Sequence, residues 1–155
     1  MNNLENIVIV GSSSELAKEF IKTQDGNKIY KISSNSSLKD KDLFVEDYLN
    51  EIDKIINFIK KIDKPIIIFF NGFLAENRPQ QFPTNNEIRK TLEINFFIPY
   101  QITEALNIEN IDIKKFIYIS SFAAIKPRYK NFMYGYSKKL LENSINSLNI
   151  HNFLF

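Results

Sequence analysis

Two residues near the end of the sequence have the types and spacing of a proton-transfer pair. Tyr134 and Lys138 stand four positions apart in the stretch MYGYSKK, so on a helix they share one face. A phenol has a pKa of about 10 and is a poor acid or base near neutrality, but a nearby ammonium favours its phenolate form. The alternative is an ordinary pair on an amphipathic helix, and the pattern taken alone favours that alternative.

Further polar residues follow apolar runs that predict buried strands. Asn71 and Gly72 follow PIIIFF, while Ser120 and Ser121 end KKFIYISS. Ligands of open α/β sheets bind at the carboxyl ends of strands, where a serine hydroxyl can hydrogen-bond a substrate oxygen. Asn-Gly is also a common turn dipeptide, and a serine in such a place can cap a turn or helix.

The stretch GSSSELA joins the first apolar run to a predicted helix. Gly11 permits a tight turn and three serines follow it, as in turns that bind the pyrophosphate of a dinucleotide at a helix N-terminus. Ser12 and Glu15 have capping-box spacing, which predicts the helix start and turns the carboxylate away from a phosphate. Glu15 and Ala17 stand where a glycine-rich fingerprint has glycines, so these residues leave the nature of the turn open.

Asn95 lies within a predicted helix and has Pro99 four residues after it. Proline has no N–H, so it cannot bond the carbonyl of the residue four positions earlier. The free carbonyl of Asn95 could hold a water molecule, or the kink could have no functional consequence.

Alternating strands and helices must position these residues. Unbroken apolar runs predict strands at Ile7–Val10, KIYKIS, LFVED, PIIIFF and KKFIYISS, and NFLF resembles the opening of a sixth; helices are predicted after GSSS and over Ile52–Ile62, Glu87–Leu106 and Asn131–Leu148. This order predicts a parallel sheet covered on both faces. We therefore expect a Rossmann-like, doubly wound α/β fold with strand order 3-2-1-4-5.

Composition narrows the classes of function. The 155 residues predict one domain, and a net charge of +2 with scattered lysines gives no footprint for nucleic acid. The absence of cysteine excludes disulfides and cysteine-based zinc sites, and we predict no metal. The sequence shows no signal peptide or run long enough to span a membrane, so we expect a cytoplasmic protein.

In combination the motifs resemble the short-chain dehydrogenase/reductase family. The matching features are, in chain order, GSSSELA, FNG, Asn95, Ser121 and the pattern Tyr134-x-x-Ser137-Lys138. Ser121 precedes Tyr134 by thirteen residues, as is usual in that family, and the resemblance runs from residue 7 to about 148. The stretch from NGFLAENR through INFF to YGYSKK is most similar to sugar-acting reductases, such as the reductase subunit of the decaprenylphosphoryl-ribose epimerase.

The resemblance implies hydride transfer between NAD(P)H and a carbonyl or alcohol substrate. Ser121 would polarise the substrate carbonyl, Tyr134 would pass the proton, and Lys138 would assist Tyr134 and hold the nicotinamide ribose. Asn95 would hold a relay water through its carbonyl. The implied cofactor-binding residues are Gly11, Ser13, Ser14, Leu16, Asn71, Gly72, Tyr134 and Lys138.

The choice of cofactor and the assembly are less sharply indicated. Ser33 and Ser34 end the second strand where NAD-dependent members usually have an acidic residue, which gives a slight lean towards NADP. No basic residue stands clearly in place to bind a 2′-phosphate. The helices Glu87–Leu106 and Asn131–Leu148 correspond to those that pair in family dimers, so a homodimer is expected.

The sequence departs from the family at its end, because members usually carry two further strands after NFLF. We therefore predict a single NAD(P)-binding domain, residues 1–155, that is incomplete at its C-terminus. It would be a truncated product or fragment of a reductase, or else an inactive Rossmann module that binds a nucleotide or a partner chain. A response-regulator receiver fits less well, because GSSS and VEDY occupy the places of its acidic cluster and phosphoacceptor, and Asp47 alone does not supply them.

Overall fold

The described part of the chain forms six short strands and five α-helices. The computed structural model describes residues 4–35, 41–75, 82–127, 129, 132–148, 150 and 152–155. The strands are β1 (Asn6–Val10), β2 (Lys28–Ser33), β3 (Leu43–Phe44), β4 (Ile66–Phe69), β5 (Lys115–Tyr118) and β6 (Phe153–Leu154). The helices are α1 (Glu15–Lys22), α2 (Ile52–Ile59), α3 (Asn85–Leu92), α4 (Ile98–Ile108) and α5 (Phe132–Ser147), with a π-helical segment (Glu93–Phe97) between α3 and α4 and a 3₁₀ turn (Phe122–Ala124) after β5.

All six strands pair in parallel in the order β3-β2-β1-β4-β5-β6. This confirms the predicted Rossmann-like fold, including the opening of a sixth strand at NFLF. The strand order reverses between β1 and β4, which are neighbours in the sheet although β2 and β3 lie between them in sequence. The carboxyl ends of parallel strands meet at one edge, and ligands bind at such a reversal.

The sheet is buried on both faces because its strands are apolar at successive positions. Val8 and Val10 face a large core with α2, α4 and α5, while Ile7 and Ile9 face a smaller one with Ala17 of α1. Side chains alternate between the faces of a strand, so an unbroken apolar run supplies both cores at once. Among the residues described, no helix has the length and apolar character needed to cross a membrane.

The start of α1 differs from the predicted capping box. Ser14, not Ser12, is the N-cap, and its Oγ accepts a hydrogen bond from Ala17 N at 3.2 Å. Glu15 instead accepts from Lys18 Nζ at 2.6 Å. The turn that begins at Gly11 keeps Ser12 buried before the helix starts, so the S-x-x-E spacing falls outside the helix.

The predicted helix Glu87–Leu106 is divided into α3, the π-helical segment and α4. α3 begins earlier than predicted, at Asn85, where Thr84 and Glu87 form a capping box that the T-x-x-E spacing could have revealed. The interruption lies in the turn before Pro99, which has no N–H to donate to the carbonyl of Asn95. α5 is close to its prediction, although Asn131 lies outside the described residues.

Candidate active site

A cavity of about 390 Å³ opens at the reversal point between β1 and β4. Its described lining is Gly11, Ser13, Ser14, Ser34, Glu46, Asp47, Tyr48, Phe70, Asn71, Gly72, Glu93, Ile94 and Ile98. Five of the residues predicted to bind a cofactor are thus brought together: Gly11, Ser13, Ser14, Asn71 and Gly72. Leu16 is not among them, because it is 58% exposed on α1.

Gly11 is required at this turn by both its conformation and its surroundings. Its φ is +79°, in the left-handed region that favours glycine. A Cβ atom at this position would lie 3.0 Å from the backbone nitrogen of Asn71 and 3.2 Å from the carbonyl carbon of Phe70. The chain can therefore pass close over the end of β4 before α1 begins, which leaves the N-terminus of α1 at the cavity.

Asn71 presents an unsatisfied acceptor. Its side chain is only 8% exposed, and its Oδ1 atom is buried without a hydrogen-bond partner among the described residues. A buried unpaired polar atom costs about 1–3 kcal/mol, so a ligand hydroxyl donating here would stabilise the complex. The close turn at Gly11, the helix N-terminus and this acceptor together fit the phosphates and a ribose of a dinucleotide.

Tyr48 lines the cavity and hydrogen-bonds the backbone at the end of β2. The sequence did not identify it as a site residue. The carbonyl of Ile32 accepts hydrogen bonds from Gly11 N at 3.0 Å, Ser12 N at 3.3 Å and the Tyr48 hydroxyl at 3.0 Å. Burial raises the pKa of Tyr48 to about 12, so its hydroxyl remains a donor. These three bonds hold the turn after β1 against the end of β2.

Lys138 joins the ends of two strands to α5. Its ammonium is buried and donates to the carbonyl of Asn71 at 3.2 Å and to that of Ile119 at 2.9 Å. An ammonium has three donors, so one remains for another group. Because Asn71 also lines the cavity, this lysine is connected to the cavity through the Asn71 backbone. No cluster able to hold a metal ion occurs in the described part of the chain.

The burial of Lys138 predicts a pH-dependent stability. Burial lowers the pKa of its ammonium from 10.5 to about 8, so between these pH values the unfolded chain binds more protons than the folded one. Stability therefore rises with pH across this window. In urea titrations, we expect the stability of wild type relative to Lys138→Met to increase by ~3 kcal/mol from pH 8 to 10.5. A difference between wild type and Lys138→Met that stays constant over this pH range would contradict the assignment.

Asn95 acts through its side chain, a role that the argument from Pro99 did not reveal. Its Oδ1 accepts from Phe73 N at 2.7 Å, and its Nδ2 donates to Phe73 O at 2.9 Å and to Ser137 Oγ at 3.1 Å. The Ser137 hydroxyl donates in turn to the carbonyl of Tyr134 at 2.8 Å. This buried chain of bonds fixes the segment after β4 against the first turns of α5.

Ser121 caps the 3₁₀ turn, and its hydroxyl donates to no other residue in the described part of the chain. Its Oγ accepts from Ala123 N at 3.2 Å, which leaves the hydroxyl hydrogen available to a substrate oxygen. The preceding Ser120 donates to Glu142 Oε1 of α5 at 2.6 Å. The geometry is thus compatible with both roles predicted for serines at this strand end, as a cap and as a group that hydrogen-bonds a substrate oxygen.

The turn after Ser121 is packed against α5 at Gly135, immediately after Tyr134. A Cβ on Gly135 would lie 2.2 Å from the carbonyl oxygen of Ala123. This approach keeps the turn beside the helix and so keeps Ser121 and Tyr134 in one region. Tyr134 is half-buried, and its hydroxyl bonds to no other described residue. A glycine inside a predicted helix is a signal for close packing that the sequence already contained.

The parallel sheet and its strand order define a Rossmann-like α/β fold, and solved structures support this class of fold. A short chain dehydrogenase family protein from Francisella tularensis matches with a TM-score of 0.73 and 19% identity over 94% of this chain. The protein ElxO with NADPH bound matches at 0.67 with 16% identity over 88%. A 4-hydroxyisoleucine dehydrogenase complexed with NADH matches at 0.65 with 16% identity over 90%.

These likenesses concern the fold. The chain covers 62% of the Francisella protein, 63% of ElxO and 66% of the 4-hydroxyisoleucine dehydrogenase. The sequence matches no protein-family model and no curated protein. The fold is therefore that of short-chain dehydrogenases/reductases, and the chemistry has to be argued from the residues of this chain.

Proposed function

We propose that the chain is an NAD(P)-dependent oxidoreductase of the short-chain type, acting on a carbonyl or alcohol. The observation that carries the proposal is the double role of Asn71, which lines the cavity and accepts a hydrogen bond from Lys138. A site shaped for a dinucleotide is thereby linked to the helix that carries the Tyr134–Lys138 pair. The likeness of NGFLAENR and YGYSKK to sugar-acting reductases supports a sugar-linked substrate.

Each residue has a role that its contacts permit. A bound nicotinamide cofactor supplies or accepts the hydride in such reactions. The free hydroxyl hydrogen of Ser121 donates to the substrate oxygen, and Tyr134 transfers the proton. Lys138 uses its remaining donor to hold a ribose hydroxyl. Asn95 positions α5 through Ser137, and its carbonyl, which Pro99 cannot bond, holds a relay water.

A second candidate is a nucleotide-binding module without turnover. It is supported by the composition of the cavity, whose described lining contains none of Ser121, Tyr134 and Lys138. The two candidates share the dinucleotide site and differ only in catalysis, so binding and turnover must be measured separately.

The first test is a fluorescence titration of the purified chain with NADH and with NADPH. The chain contains no tryptophan, so the background is low. Saturable binding of at least one dinucleotide is expected, because the turn at Gly11 and the acceptor on Asn71 are already in place. A folded chain that binds neither would refute both candidates. Subsequent turnover of a carbonyl substrate with the bound cofactor would separate the reductase from the binding module.

The proposed assembly is a cytoplasmic homodimer through the helices of residues 87–106 and 131–148, which include α3, α4 and α5. A groove between α3 and α5 is lined by the apolar or aromatic Leu92, Met133, Tyr136 and Leu140 and by the polar Lys139 and Asn143; Tyr136 is 56% and Leu140 41% exposed. A two-fold axis would bring the same apolar surface of a second copy onto this groove.

We expect Leu140→Glu to convert the dimer to a monomer in sedimentation equilibrium, because each subunit would place a carboxylate in the apolar contact. The control Leu4→Glu, which adds the same charge at an exposed position away from the groove, should leave the dimer intact. A dimer that persists in Leu140→Glu would show that a different surface is used.

A further inference from the structure

The cavity that fits the dinucleotide has an acidic lining. Glu46 and Asp47 follow β3, and Glu93 begins the π-helical segment; all three line the cavity. Its described lining residues include no lysine, arginine or histidine. An anionic group added to the nucleotide would therefore meet negative charge without a compensating cation from these residues.

The three carboxylates are not equivalent. Asp47 accepts hydrogen bonds from the backbone of Leu49 and Asn50 and from Asn50 Nδ2, so much of its charge is directed to the chain before α2. Glu46 and Glu93 are exposed, and their carboxylates have no hydrogen bond or ion pair with any described residue. No partner among the described residues therefore neutralises these two charges at the cavity.

The sheet register places Glu46 beside the end of β2. Ser33 pairs with Phe44, and Val45 N donates to Ser33 O at 3.0 Å. Ser34 directly follows β2, Glu46 lies two residues after the end of β3, and both line the cavity. In dinucleotide-binding folds the 2′-position of the adenosine ribose lies at the end of this second strand. A 2′-phosphate would therefore lie close to Glu46.

We propose that this chain selects NAD(H) over NADP(H) and that Glu46 is the main specificity-determining residue. A phosphate monoester carries about −1.5 to −2 charges at pH 7, and charges within about 8 Å are poorly screened at physiological salt. The hydroxyl of Ser34, which lines the cavity, can bond a ribose hydroxyl or a phosphate, so it discriminates weakly and the carboxylate decides. This preference for NAD(H) is opposite to the slight preference for NADP that the sequence predicts. It rests on the proposed dinucleotide site.

The test compares NADH and NADPH affinities by fluorescence titration in wild type, Glu46→Gln and Glu19→Gln. Glu19 is exposed on α1, is not among the residues lining the cavity and provides the same change of charge. We expect NADH to bind wild type about tenfold more tightly at low salt, with the difference falling as salt rises. Glu46→Gln should strengthen NADPH binding several-fold with little effect on NADH, and Glu19→Gln should leave the ratio unchanged.

The outcomes of this test distinguish the proposed preference for NAD(H) from the proposed dinucleotide site on which it depends. Equal or tighter binding of NADPH to wild type, or an affinity ratio that Glu46→Gln does not change, would overturn the role of Glu46 and leave the dinucleotide site intact. Failure of a folded chain to bind either nucleotide would overturn the site itself, and the inference with it.

Discussion

Tyr134→Phe is expected to reduce the turnover of a carbonyl substrate by about 10²–10⁴-fold, the contribution typical of a positioned general acid or base. The substitution removes one hydroxyl and keeps the ring. Because that hydroxyl bonds to no described residue, its loss should leave the fold unchanged. The nucleotide affinity should also change little, since the described lining of the cavity does not include this side chain.

Tyr136→Phe is the matched control, because it removes the same atom from the same helix two residues later. Tyr136 is exposed and lies on the groove between α3 and α5, so turnover should be retained. Steady-state kinetics with saturating cofactor, together with the fluorescence titration, would measure both effects. A Tyr134→Phe chain as active as wild type would eliminate the proposed mechanism, and equal losses in both variants would point to the packing of α5.

Gly135→Ala is expected to destabilise the chain although alanine favours helix. Alanine gains up to about 1 kcal/mol over glycine in a helix interior. Here the added Cβ would lie 2.2 Å from the carbonyl oxygen of Ala123, a backbone atom that cannot rotate away. Overpacking typically costs about 1–3 kcal/mol and occasionally more, so the clash should outweigh the gain. The turn after Ser121 would have to move away from α5, which should also lower turnover.

Gly72→Ala provides the comparison for stability, since its added Cβ would meet only the carbonyl oxygen of Phe70, at 4.0 Å. That variant should unfold in urea at nearly the wild-type midpoint. A Gly135→Ala chain at least as stable as wild type would show that the turn can shift without loss, and the close contact would then not position Ser121.

Several features of the molecule are determined by short segments of the sequence and could therefore be predicted from it. The runs at Ile7–Val10 and PIIIFF are apolar at every position, which identifies strands buried on both faces and thus a covered parallel sheet. The isoleucines of α2 recur at the spacing of one helix face, which likewise predicts a helix from a short segment alone. The apolar NFLF predicts the opening of a sixth strand, and the residue types after β1 predict the turn at Gly11.

Other features depend on neighbours that are distant in sequence. Lys138 and Asn71 are 67 residues apart, and Asn95 and Ser137 are 42 apart, so no local pattern reports their hydrogen bonds. The capping box was misplaced at Ser12 because its spacing is local, whereas the turn that delays α1 depends on the contact of Gly11 with the end of β4.

The sequence by itself determined the class of fold and the set of residues able to do chemistry, because hydrophobic periodicity and residue type are properties of short segments. The tertiary structure decided how those residues are used. It left Asn71 Oδ1 buried without a described partner, buried Lys138 between two strand ends and brought Glu46 and Ser34 to the same cavity. Such contacts arise only when separate segments pack together, because burial and charge at one position are set by whichever residues the fold brings next to it.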